Sequence, residues 1–210
     1  MSRSAPAEEK NRRHSREDWL ETALAVLVES GIEDVQITKL AARMDVTRGS
    51  FYWHFTDRTD LVDALITAWR RHNTDVMVGA LEDVTSLTQG ILQLFSVWVD
   101  HDQFDPKLDQ AMRDWARRSE AVRATVIEED DRRIDVIARF FRRFDYPDSE
   151  AFIRARVIYF TQISYYALDI KEPMDRRMGY LADYFRCYTG REMDEATARG
   201  YRKKMKLKWG

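Results

Sequence analysis

The sequence predicts an all-α protein, and three observations carry that expectation. Only 8 Gly and 4 Pro interrupt 210 residues, below ordinary usage of about 7% and 5%. Alternating β-branched runs of the kind that build strands are scarce. Apolar residues recur instead at the 3.6-residue helical period, beginning with Trp19, Leu20, Ala23, Leu24, Leu27 and Val28. At 44% hydrophobic the chain can bury a real core, and a small N-terminal helical unit is expected to precede a larger helical bundle.

Each element has a local reason. Ser15 followed by Asp18 has the form of a capping box, and Gly31 suits a helix C-terminus, so a first helix is expected over 15–30. Thr38 is placed as the cap of a second helix carrying Leu40, Ala41 and Met44. Thr47 caps a third, RGSFYWHF, whose Phe51 and Phe55 lie four apart and face inward. Asp57 or Thr59 opens a fourth, with Leu61, Leu65 and Trp69 on its inner side. Longer helices are expected near 84–101, 106–118, 120–145, 149–170 and 174–189, with Pro106, Pro147 and Pro173 marking three junctions. Residues 1–14 read as a flexible basic arm. The last twelve residues, with six bases and no acid, read as a solvated basic tail.

Composition excludes several function classes. The single cysteine, Cys187, forbids an intramolecular disulfide, so a reduced, intracellular chain is expected. No apolar run nears the roughly 18–20 residues of a membrane span, and the polar N-terminus lacks a secretory signal. A cytoplasmic protein with no membrane partner is the expectation. Phosphate loop, paired-carboxylate motif, metal cluster and nucleophile–base pair are all missing from the sequence, so no enzyme, metal or cofactor is expected. His101 and Cys187 stand in no ligand or nucleophile spacing and read as structural.

Two short helices joined by a tight turn, the second opening Thr47-Arg48-Gly49-Ser50, read as a helix-turn-helix. So short a second helix brings only its first turn to base edges in a major groove about 12 Å wide. Thr47, Arg48, Gly49 and Ser50 are therefore the base-reading candidates, with Arg48 suited to a bidentate guanine contact. Tyr52, Trp53 and His54 suit phosphate and thymine-methyl contacts, and Thr38, Lys39 and Arg58, at helix starts, suit phosphate.

From 15 to 65 the chain resembles the TetR family of bacterial transcriptional regulators, through AVLVESG, TKLAARMDV and TRGSFYWHFTDRTDL. The resemblance implies a homodimer on a pseudo-palindromic double-stranded DNA operator, most often a repressor released by a small-molecule effector. The alternatives are a TetR-like activator, or a membrane-surface or scaffold protein acting through the basic tail. The implied domains are 15–60 for DNA binding, 61–192 for ligand binding and dimerisation, and 193–210 as the tail. The family pairs its last two helices across the dimer, which assigns that interface to Val157, Phe160, Ile163, Met178, Leu181 and Phe185. It places the effector among the middle helices, where Phe95, Trp98, Met112, Trp115, Asp130, Tyr159, Gln162 and Tyr166 are the candidates. Asp130 interrupts the stripe Ile127, Ile134, Ile137, Phe141, and an interior carboxylate there needs Arg113, Arg156 or a cationic ligand as its partner.

The net charge of −2, from 34 Lys and Arg against 36 Asp and Glu, is an average over unlike parts. Residues 35–58 hold four bases against Asp45 and Asp57, whereas residues 59–198 carry an acidic excess of seven. A locally positive head on an acidic body predicts a modest salt dependence of DNA binding.

Overall fold

The structure, a computed structural model, describes residues 14–209, with side chains up to 208. The expected basic arm lies outside the described residues except for His14. Among the described residues every regular element is helical. The chain divides into two compact units, Met1–Ala68 and Trp69–Gly210.

In the first unit, α1 (Arg16–Ser30) begins on the expected capping box: the Asp18 N–H donates to Ser15 Oγ (3.1 Å) and the Ser15 N–H to Asp18 Oδ2 (2.7 Å). Gly31 ends it at φ 85°, where a side chain would be strained. A 3-10 turn, Ile32–Asp34, leads to α2 (Ile37–Arg43). Thr38 is not its cap: Gln36 occupies that position, with no side-chain bond, and Thr38 stands inside the first turn. A Schellman turn ends α2, the Asp45 N–H bonding to the Ala42 carbonyl and the Val46 N–H to the Ala41 carbonyl, with Asp45 left-handed at φ 55°. Then α3 spans only Arg48–Phe51, with Tyr52–His54 continuing as turns, so the expected eight-residue helix is half as long. The Asp60 N–H donates to Asp57 Oδ1 (3.0 Å) at the start of α4 (Arg58–Trp69), making Asp57 its cap. Trp19, Phe51 and Phe55 are buried at the centre. The Phe51 ring meets Trp19 edge-on and Phe55 by stacking, with centroids 5.3 Å apart in both pairs.

The second unit continues through a π-helical segment (Arg70–Asp75) into α5 (Val76–Glu82), α6 (Leu87–Val99), α7 (Pro106–Ala116), α8 (Glu120–Arg142) and α9 (Asp148–Ala167). Pro106 occupies the first turn of α7, and Asp105 caps it by accepting from the N–H groups of Lys107 and Leu108. The helix expected over 174–189 is two, α10 (Met174–Gly179) and α11 (Leu181–Thr189), broken at Tyr180.

The expected tail also differs. Residues Glu195–Trp209 form α12, whose Ala198, Tyr201 and Met205 are buried in the core of the unit. Their i, i+3, i+7 spacing makes one apolar face. The Tyr201 hydroxyl bonds to the Leu92 carbonyl (3.1 Å) and lies 2.9 Å from Ser96 Oγ, and Lys208 Nζ reaches the Asp100 carboxylate. The basic residues occupy the remaining faces.

Gly90 fixes how closely α6 approaches α8. A Cβ there would fall 2.2 Å from Cε2 and 2.4 Å from Cζ of Phe140, whose ring is buried and packed against Phe141 and Phe144. Gly90→Ala therefore gains about 1 kcal/mol of helix propensity but incurs an overpacking cost of about 1–3 kcal/mol. A lower denaturant midpoint than wild type is expected in equilibrium unfolding.

Candidate functional site

The turn and short helix of the first unit place the candidate residues outward. Thr38, Lys39, Thr47, Arg48, Gly49, Tyr52 and Trp53 are exposed, while Ser50 and His54 are half-buried. Trp53 is 87% exposed and Tyr52 54%, a large apolar area to leave in water. An added Cβ at Gly49 would meet only Thr47 Oγ1, at 3.7 Å, so the fold itself does not require glycine there.

The cations among the described residues of this unit are mostly spent within it. Lys39 pairs with Asp34, Arg43 with Glu29 through two bonds, and Arg16 with Asp60. Arg58 does not point at an external phosphate: its Nε donates to the Val35 carbonyl (2.8 Å) and its Nη2 to the Ile32 carbonyl (3.1 Å). Those carbonyls belong to the linker between α1 and α2, and that of Ile32 also accepts the Val35 N–H (3.1 Å). Among the described Lys and Arg residues of this unit, Arg48 alone has no ion pair or hydrogen bond within the chain.

Inside the second unit, the carboxylate foreseen at Asp130 belongs to a larger cluster. Arg113 grips it with two bonds, Nη1 to Oδ2 (2.9 Å) and Nη2 to Oδ1 (2.7 Å), and Arg113 Nε donates to Asp109 Oδ2 (2.9 Å). Arg133, fully buried, donates from Nη1 to Asp109 Oδ1 (2.9 Å) and from Nε to Thr74 Oγ1 (2.9 Å), with its guanidinium 4.9 Å above the Trp69 ring. The Trp69 indole N–H completes the shell of Asp109 (2.9 Å). The Tyr159 hydroxyl accepts from both arginines and donates to Asp130 Oδ1 (2.6 Å). Arg156, the other partner considered for Asp130, lies instead over the Phe152 and Phe160 rings.

Burial pushes the Asp109 carboxyl up, but Arg133 and Arg113 outweigh it and hold the group below its ordinary value. Burial raises the Tyr159 hydroxyl, so it remains a proton donor at neutral pH. Sequence reasoning found Asp130 from its break in an apolar stripe. It missed Asp109 and Arg133, which sit among other charges on α7 and α8.

This cluster and the packing around it consume much of the expected effector space. Trp98, Met112 and Tyr159 are buried in the core, and Trp115 is half-buried. Tyr166 stacks on Phe104 and donates to the Trp98 carbonyl. Phe95 and Gln162 instead line a small cleft among α6, α9, α10 and α11. Of the six interface candidates, Val157 and Phe160 are exposed, and Ile163 is half-buried against the core. Met178, Leu181 and Phe185 are corrected to the protomer core, where the inner faces of α10 and α11 bury them. Helical periodicity identifies an apolar face without saying whether its own chain or a second copy covers it.

The first unit, with its tight turn and outward second helix, defines a helix-turn-helix protein. Residues 20–65 match the model for bacterial regulatory proteins, tetR family. Over 72 residues the chain is 33% identical to the uncharacterized HTH-type transcriptional regulator TtgW of Pseudomonas putida, covering 34% of this chain and 51% of that one. Over 53 residues it is 40% identical to the tetracycline repressor protein class C of Escherichia coli, covering 25% and 24%. The match thus spans about half the length of the first relative and a quarter of the second. AmtR of Mycobacterium smegmatis shares the fold, with a TM-score of 0.60 at 15% identity over 96% of this chain and 97% of that one. Over residues 20–65 the chain is thus similar to the DNA-binding part of bacterial regulatory proteins of the tetR family. Among the described residues no helix is long and apolar enough to cross a membrane.

Removing one member of the buried cluster strands the others. Asp109→Ala leaves Arg133 and Arg113 without their shared carboxylate and is expected to cost about 3–5 kcal/mol in chemical denaturation. Because the Asp109 pKa is lower folded than unfolded, its stabilisation is complete above the unfolded value near 3.9 and is lost as pH falls through the folded value. Asp109→Asn should lack that share of the acid dependence in a pH-resolved unfolding series.

Proposed function

We propose that the chain is a sequence-specific DNA-binding transcriptional regulator, acting as a homodimeric repressor released by a small molecule. The observation that carries this reading is Arg48, an unpaired guanidinium at the first turn of an outward helix, beside exposed Thr47, Gly49, Tyr52 and Trp53. A guanidinium so placed has the fork geometry to take guanine O6 and N7 together, and Gly49 lets the backbone approach a duplex closely. The exposed aromatics supply faces for thymine methyls and sugar. Thr38 and Lys39 at the start of α2 are the phosphate candidates, with Lys39 exchanging Asp34 for phosphate. Repression is supported by the name of the matched tetracycline repressor.

The dimer reading rests on α9. Phe152, Ile153, Val157 and Phe160 are 44%, 54%, 47% and 40% exposed and lie along one side at helical spacing. A twofold partner presenting the same stripe would cover it and set two reading heads against a palindromic site. The membrane-surface alternative loses support, since α12 turns Tyr201 and Met205 into the core instead of toward an outside surface.

The direct test is selection of random-sequence duplexes by the full chain, followed by titration of the enriched duplex. Enrichment of a palindromic site is expected, and no enrichment over bulk DNA would overturn the reading. Arg48→Ala should weaken the selected duplex by about 1–3 kcal/mol, with an unchanged unfolding midpoint because Arg48 has no partner within the chain. Val157→Glu should shift the sedimenting species from dimer toward monomer without unfolding it. A wild-type monomer at micromolar concentration would remove the dimer reading.

A further inference from the structure

We propose that the cleft among α6, α9, α10 and α11 binds a compact aromatic carboxylate through Arg177 and Gln162. It is lined by Phe95, Thr161, Gln162, Tyr165, Arg177, Met178, Tyr184 and Tyr188. That lining contains one cation and no carboxylate. Arg177 lies over the Tyr165 ring at 5.0 Å and makes no ion pair among the described residues. Gln162 is 95% buried, and its Nε2 meets hydrogen-bond geometry with nothing in the chain. The neighbouring Tyr166 hydroxyl, which donates to the Trp98 carbonyl (2.7 Å), faces the Gln162 amide as an acceptor but outside good hydrogen-bond geometry.

A buried amide donor poorly met by its acceptor gains from a better aligned one, and a guanidinium without an ion pair beside it favours an anion over a neutral guest. A carboxylate answers both, taking two parallel bonds from Arg177 and a third from Gln162. The aromatic part of the ligand follows from the walls. Tyr184 and Tyr188 stack at 5.5 Å, and Phe95 sits 6.2 Å from Tyr188 at a 35° tilt, giving ring faces for a planar guest. A cation is disfavoured because Arg177 already occupies the Tyr165 face. Glu172, the nearby acid, is engaged by the Tyr165 hydroxyl at 3.0 Å.

The cleft is small, about 20 Å³, by that measure room for about one water. A ring therefore enters only by parting α9 from α10 and α11. That requirement gives the ligand unequal affinity for two arrangements of the unit, the condition for any ligand-driven shift. Along α9, Val157 and Phe160 form part of the proposed dimer face, so parting these helices perturbs that face. This coupling, though not the binding itself, rests on the regulator reading above.

Calorimetric titration of the full chain with benzoate and phenylacetate, and with benzamide as the uncharged control, tests the site. Benzoate or phenylacetate is expected to bind once per chain, with benzamide at least tenfold weaker. Arg177→Gln should weaken carboxylate binding at least tenfold, and Arg177→Lys, which keeps the charge, by less. Equal binding of benzamide and benzoate, an unaltered affinity in Arg177→Gln, or no heat from either acid at millimolar concentration would overturn the proposal. Should Arg177→Gln fail to fold, the benzoate–benzamide comparison on wild type decides alone. Carboxylate binding that leaves a selected duplex bound removes the coupling but keeps the site, and failure to select any duplex bears only on the regulator reading.

Discussion

The second unit is organised around one carboxylate taken wholly out of water. Asp109 receives bonds from Trp69, Arg113 and Arg133, and through those arginines the π-helical segment, α7, α8 and α9 are held at fixed separations. Isolated burial of an ion costs several kcal/mol after relaxation. Here two guanidiniums face two carboxylates, with the Tyr159 hydroxyl bridging between the sets. Charge balance and hydrogen bonding offset the desolvation without leaving a large surplus. The main consequence is selectivity: any packing that slides α7 against α8 strands a buried charge, so competing arrangements are penalised more heavily than the native one is rewarded. Arg133 Nη2 is still without a partner, a cost that the remaining bonds of the cluster have to offset.

The cluster also decides where a ligand has room. Interior positions that would suit an effector on α7, α8 and α9 are filled by Met112, Asp130, Tyr159 and their partners. A cleft lies on the other side of α9, against α10 and α11, and its chemistry differs accordingly. In the cluster each charge has an opposite charge. In the cleft the Arg177 guanidinium has none among the described residues.

Much of the fold was legible because local chemistry specified it. The Ser15–Asp18 box, the Gly31 stop, Asp57 as a cap and the three junction prolines each act within a few residues. The inward turn of Asp130 and its pairing with Arg113 followed from one polar residue in an apolar stripe. The basic composition of residues 199–210 concealed the Ala198, Tyr201 and Met205 spacing, because three apolar residues among six bases register weakly against a charge count. Met178, Leu181 and Phe185 make an apolar face that the sequence shows, but which chain covers it depends on tertiary packing, and here it is the chain's own core. Arg58 was legible as a helix-start cation, but the pull of the Val35 and Ile32 carbonyls on it depends on how the linker turns in space.

The same limit governs the charge of the reading head. Counting bases over 35–58 gives four, yet three of them answer partners inside the unit: Asp34, Glu29, and the linker carbonyls. What a duplex would meet is closer to one unpaired guanidinium with hydroxyls and ring faces around it. For a DNA reader this shifts the balance of recognition, because phosphate neutralisation supplies most non-specific affinity and few cations among the described residues of this unit are available for it. A phosphate contact from Lys39 or Arg43 must first break an internal pair, with only the difference between two ionic interactions gained. In the proposed homodimer, discrimination would then fall on direct contacts at the first turn of α3, and on having two such turns held at a fixed spacing by a partner.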